Sequence, residues 1–170
     1  MAAGPSGRVL VAFYSRTGNT RKVAEAIGAA LRCEVEEIRD TRDRRGRWGY
    51  VRSALDALLR RTTPLVEPTR RPSDYDLVIV GTPVWVGSVS TPVRTYLARH
   101  RGAFRRVAFF LTQGGAGAER VFAQMEELAG VRPVGALALR EAELFGPAWA
   151  RGAADFATGL VGGSAAEPVR

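Results

Sequence analysis

Val9-Leu10-Val11-Ala12-Phe13-Tyr14-Ser15-Arg16-Thr17-Gly18-Asn19-Thr20 is the stretch that decides the fold. An apolar run of the kind buried inside a sheet passes without a linker into six small, donor-rich residues, and a helical pattern begins near Arg21. Strand, tight turn and helix follow one another. A turn of this kind attracts anions, because the first N–H groups of a helix have no intrahelical acceptor and the helix dipole adds partial positive charge there. Ser15, Thr17 and Thr20 add hydroxyls, Asn19 an amide and Arg16 a charge, while Gly18 lets the backbone approach a ligand without a Cβ in the way. Ser, Thr and Asn at a helix start also serve as ordinary N-caps, so the turn alone fits both roles.

Strand and helix signals alternate along the rest of the chain. Val23, Ala26, Ile27, Ala30 and Leu31 keep the spacing of one buried helical stripe over residues 20–32, and residues 33–39 suit an edge strand. A charged loop over 40–46 leads to a second amphipathic helix, whose apolar positions Trp48, Val51, Leu55, Leu58 and Leu59 are expected to face the core. Pro64, Pro68 and Pro72 make residues 62–74 an extended connector. Leu77-Val78-Ile79-Val80 reads as a central strand ending at Gly81-Thr82-Pro83, followed by a Gly- and Ser-rich loop over 84–91. Pro92 then opens a helix carrying Val93, Tyr96, Leu97 and His100. A fourth strand over 107–111 ends in Thr112-Gln113-Gly114-Gly115-Ala116-Gly117. A helix over 118–129, a fifth strand over 134–139 and a closing helix with Trp149, Ala153, Phe156 and Leu160 complete the pattern.

This alternation predicts an α/β fold, a three-layer doubly wound sandwich around a five-stranded parallel sheet with right-handed crossovers. A single domain over 1–170 is expected, with a core over about 8–160 and tails at 1–7 and 162–170. Ligands of such sheets sit beyond the carboxyl ends of the strands. The loops carrying Ser15, Pro83 and Thr112 all follow such ends, and they should meet in one crevice.

Composition narrows the function. Of 170 residues 46% are hydrophobic and 25% charged, which is ordinary for a globular protein. No apolar run approaches membrane-spanning length, and the N-terminus lacks a signal-peptide layout, so a cytoplasmic location is expected. The net charge of +8 invites a nucleic-acid role. Arginine is nevertheless dispersed from Arg8 to Arg170, with Asp40, Asp43 and Glu67 interspersed, which fits a solvated arginine-rich surface better. One cysteine, Cys33, and one histidine, His100, exclude an internal disulfide and leave no zinc or iron–sulfur pattern. Cys33 is expected to be a small buried hydrophobe and His100 a structural residue at a helix end, where a cation is favourable. There is no dinucleotide fingerprint, no triphosphate loop, and no acid/base pair or nucleophile to call catalytic.

Ser15-Arg16-Thr17-Gly18-Asn19-Thr20 fits the phosphate-loop pattern of the flavodoxin-like family: Ser/Thr, any residue, Thr, Gly, Asn or any residue, Thr. Pro83, Val84, Trp85, Val86 and Gly87 resemble its second loop, and Thr112, Gln113, Gly114, Gly115 and Gly117 sit where its third loop lies. The resemblance covers about residues 8–160. It implies strand order 2-1-3-4-5 and FMN as cofactor, with Trp85 packing on the ring and the third loop contacting its pyrimidine end. Electron-carrier flavodoxins commonly place a second aromatic in the third loop; here there is none, so one ring face is expected to be open. That implies an oxidoreductase in electron transfer, as a carrier or as a small reductase working with NAD(P)H, a quinone or a redox protein. Some relatives are quinone-coupled oxidases of porphyrin precursors, so a membrane-associated quinone partner is compatible with the basic surface. Flavodoxins are acidic and this chain is basic, which predicts a less negative reduction potential. The alternative is a flavodoxin-fold binding or regulatory module that uses its basic surface without redox turnover.

Overall fold

The computed structural model describes residues 7–41 and 46–162. The chain runs β1 (Val9–Phe13), α1 (Asn19–Leu31), β2 (Glu34–Glu37), α2 (Gly46–Leu58), β3 (Leu77–Trp85), β4 (Ser88–Val89), α3 (Thr91–Arg99), β5 (Val107–Gln113), α4 (Ala118–Ala129), β6 (Ala136–Arg140) and α5 (Ala148–Gly162). The sheet order is β2-β1-β3-β5-β6, all parallel, with the two-residue β4 turned back antiparallel on β3. Counting only the long strands, this is the expected 2-1-3-4-5.

Both sheet faces are buried, which is why the strands read as continuous apolar runs. Leu10, Ala12, Val78, Val80, Phe109 and Leu111 face one layer, joined by Val93, Tyr96 and Leu97 of α3 and Val121 and Met125 of α4. Val11, Ile79, Ala108 and Phe110 alternate to the other layer, where Val23, Ile27 and Leu31 of α1 meet Ala153, Ala157 and Leu160 of α5. At the centre, Gly81 lies in register with Phe110. A Cβ on Gly81 would stand 2.0 Å from Phe110 Cζ, so the ring occupies the space a side chain would need.

Several expectations need correction. The third strand does not stop at Pro83 but continues to Trp85, and the expected loop over 84–91 is a β-hairpin leading directly into α3. The fourth strand runs on to Gln113, and the fifth begins two residues later than expected, at Ala136. The apolar face assigned to the second helix points outward: Trp48 is 87% exposed and Leu58 65%, with Val51, Leu55 and Leu59 also exposed. Gly49, Ser53, Asp56 and Ala57 turn inward instead. Small residues let the helix backbone lie close to the sheet, and the bulky side chains are left outside.

His100 ends α3 half-buried, its ring against Tyr96 with centroids 4.7 Å apart. Burial and the neighbouring Arg99 hold its pKa below the ordinary value, which disfavours the cation a helix end would suit; packed on Tyr96, the residue has the structural role expected of it. Asp43 and most of the tails, residues 1–6 and 163–170, lie outside the described residues.

Candidate functional site

The first loop leaves β1 at the carboxyl edge of the sheet, where Tyr14 N still donates to Gly81 O at 3.2 Å. Gly18 N donates to Ser15 Oγ at 3.1 Å, closing the turn, and Gly18 takes φ 96° as the residue that starts α1. That left-handed conformation is why glycine is needed here. The N-cap role open to Ser15, Asn19 and Thr20 is not what they perform: no side chain caps α1, and its first turn has no acidic residue. Lys22 N makes the bond to Gly18 O, so the amides ahead of it have no intrahelical acceptor. Thr20 turns its hydroxyl inward, 2.8 Å from that of Thr112, and this buried pair ties the first loop to the end of β5.

The second loop is the hairpin tip. Val84 pairs with Val89 and Trp85 with Ser88, leaving Val86 and Gly87 as a two-residue turn at φ 49° and 66°. Two left-handed residues match the twist of a hairpin. For a β-branched valine that conformation costs about 1–2 kcal/mol, and Val86 is exposed, so packing does not compensate. Trp85 is 9% exposed and meets Tyr14 edge to face at 5.5 Å. The base of the hairpin is fastened from outside the sheet. Ser88 Oγ donates to Gln124 Oε1 at 2.8 Å, Val89 N donates to the same oxygen at 3.2 Å, and Arg94 donates to Ser88 Oγ at 2.9 Å.

The third loop begins inside β5. Thr112 and Gln113 are buried, while Gly114, Gly115 and Gly117 are exposed, with Gly117 at φ 105° starting α4. Gln113 Oε1 is buried without a hydrogen-bond partner, an acceptor that a ligand N–H would satisfy.

The three loops meet in a cleft of about 190 Å3 lined by Arg16, Thr17, Pro83, Val84, Trp85, Val86 and Gly114, together with Ser53, Ala54 and Glu141. Ser15, Gly18, Asn19, Thr20, Gly87, Thr112, Gln113, Gly115 and Gly117 belong to the same loops but are not among the residues lining the cleft. The sequence reading missed Ser53, Ala54 and Glu141. Glu141 directly follows the carboxyl end of β6, and the rule that points to the other loops would have found it. Ser53 and Ala54 were hidden by the assignment of α2's apolar stripe to the core. A larger cavity, about 350 Å3, lies apart from these loops, between β2 and residues 66–70.

The model of the family described as flavodoxin matches residues 8–133. The chain belongs to the flavodoxin family. Among solved structures, this flavodoxin-family chain is similar to a flavoprotein from Lactobacillus acidophilus in complex with FMN, at 25% identity and TM-score 0.69, covering 82% of this chain and 97% of that one. It also resembles the apo form of the flavoprotein from that organism, at 25% identity and TM-score 0.61, covering 84% and 97%. Oxidised flavodoxin 2 from Bacillus cereus shares the fold at 19% identity and TM-score 0.58, over 90% and 97% of the two chains. No curated protein sequence matches the chain. Among the described residues no helix is long and apolar enough to cross a membrane.

Proposed function

We propose that this flavodoxin-family chain binds FMN in the three-loop cleft and serves electron transfer as a small NAD(P)H- or quinone-linked reductase. The supporting observation is the pairing, in one cleft, of an uncapped helix N-terminus with an aromatic wall, Trp85. Phosphate suits the free amides of α1, with Arg16 and Thr17 beside them. Trp85, steadied by Tyr14, supplies a flat apolar surface for the ring, and the unpartnered oxygen of Gln113 suits a pyrimidine N–H. When bound, FMN supplies reversible one- and two-electron chemistry; the protein anchors, orients and sets the field.

Among the described residues lining the cleft, Trp85 is the one aromatic. Those described residues put no second aromatic on the opposite side of a ring packed on Trp85, a side on which a nicotinamide or quinone could stack. That favours a reductase over a carrier whose ring is sandwiched. The arginine surface lends less to a nucleic-acid role, since Arg21, Arg70, Arg99 and Arg105 pair with Glu37, Glu34, Glu67 and Asp76.

Reconstitution with FMN tests the proposal. Purified protein should take up FMN and quench its fluorescence, and anaerobic NAD(P)H should bleach it. A colourless protein that refuses FMN ends the proposal; binding without bleaching by either nucleotide leaves the carrier role. Thr17→Ala should weaken FMN by roughly ten- to a hundredfold and riboflavin hardly at all, because a hydrogen bond to a charged group is worth about 1.5–3 kcal/mol.

A further inference from the structure

Arg94, on α3, is 6% exposed. Among the described residues its guanidinium hydrogen-bonds to neutral groups, donating to Ser88 Oγ at 2.9 Å and to Gln124 Oε1 at 3.3 Å. Its Nε is buried with no hydrogen-bond partner, and among the described residues no carboxylate lies within ion-pair distance of it. A buried cation without a counter-ion is expensive, and proteins ordinarily pair it with a carboxylate.

The neighbours make the imbalance larger. Arg94 lines a cavity of about 190 Å3 with Arg60, Arg101, Gln124 and one carboxylate, Glu127. Glu127 is exposed and its backbone oxygen, not its carboxylate, takes the hydrogen bond from Arg101 Nη1. Burial, and then the nearby charge of Arg60, hold the Arg94 pKa below its ordinary value, with Glu127 opposing only as the smallest cause. Arg60 keeps its place in a left-handed conformation, φ 51°, at the end of α2. Three guanidinium groups drawn from three parts of the chain therefore border one small cavity.

We propose that this cavity between α2, α3 and α4 is a second ligand site, separate from the three-loop cleft, and that it binds a phosphate-type oxoanion through Arg60, Arg94 and Arg101. Guanidinium groups offer paired N–H donors whose geometry matches phosphate oxygens, and the cavity volume suits a phosphoryl group and a few waters. The site does not depend on FMN binding. Its occupant also sits against the hairpin's anchor, because Arg94 holds Ser88, the cross-strand partner of Trp85.

The test measures the melting temperature of the protein with saturating FMN, so that the first loop is occupied, against inorganic phosphate and against chloride at equal ionic strength. Phosphate should raise it saturably, by roughly 5–10 °C at a hundredfold excess over Kd, where chloride does not. Arg60→Glu and Arg101→Glu change exposed side chains, so they should fold and lose the response; Thr17→Ala, in the first loop, should keep it. Arg94→Gln should lose it too. If the protein takes no FMN, the same comparison in the apo protein still separates the sites, since only the arginine variants remove this one. Adenosine 5′-monophosphate in place of phosphate distinguishes the source: a tighter response identifies a nucleotide, an equal one free phosphate. An unchanged response in the Arg60→Glu and Arg101→Glu proteins, or none in the parent, overturns the site.

Discussion

Thr20 and Thr112 show how much of the site depends on single hydroxyls. They are 92 residues apart in sequence, both about 1% exposed, and each is the other's partner at 2.8 Å. Thr112→Val leaves the Thr20 hydroxyl buried and unsatisfied, which should cost about 1–3 kcal/mol and lower Tm by several degrees. Replacing both by valine removes donor and acceptor together and should recover most of that loss. Denaturant unfolding of the four proteins measures the coupling, and simple additivity of the two single losses would show that the pair is not one interaction. Cys33 carries a second prediction. Burial pushes its thiol up to about 11, so at neutral pH it is protonated and should react with iodoacetamide roughly a few hundredfold more slowly than a free thiol. The alkylation rate should climb about tenfold per pH unit until near that value. Half-maximal reactivity below pH 9 contradicts it.

At the scale of elements, the long strands and α1, α3, α4 and α5 were legible because both sheet faces are covered and each helix buries a regular stripe. The hairpin was not. Gly87, Ser88 and Ser90 look like loop residues; Ser88 and Val89 pair back on Trp85 and Val84, and the side chain that anchors them, Gln124, lies 36 residues from Ser88. Three loops of the site could be read from their positions after strands, whereas its fourth wall could not, because a helical period says that a stripe exists and not which way it faces. In α2 the smaller residues won the interior. Trp48→Ser and Leu58→Ser should therefore each change stability by no more than about 0.5 kcal/mol, while Ala57→Asp, at a position 1% exposed, should cost about 3–5 kcal/mol. Chemical denaturation decides it; a Trp48→Ser loss as large as a core truncation would mean that α2 is turned the other way.

Across the whole molecule, the net charge of +8 is the property that bears on the cofactor's potential. Reduction adds negative charge to the cofactor, and the net +8 of the protein stabilises that charge where an acidic protein opposes it. Among the described residues lining the cleft, Arg16 and Glu141 are the charged groups and are opposite in sign, so the expected difference is assigned to the surrounding surface. Long-range fields are screened over about 10 Å at 0.1 M salt, which gives the effect a sign that can be measured. The midpoint potential should be less negative than in an acidic flavodoxin at low salt, and each ~59 mV of difference in a one-electron couple is a tenfold shift in its equilibrium. Added salt should then move it to more negative values, because it weakens an attraction; in an acidic protein the same salt weakens a repulsion and moves it the other way. Potentiometric titration from low to high potassium chloride makes the comparison. A potential that rises with salt places the controlling charges in the immediate wall of the cleft, with Glu141 dominant, and Glu141→Gln should then raise the potential and flatten its salt dependence.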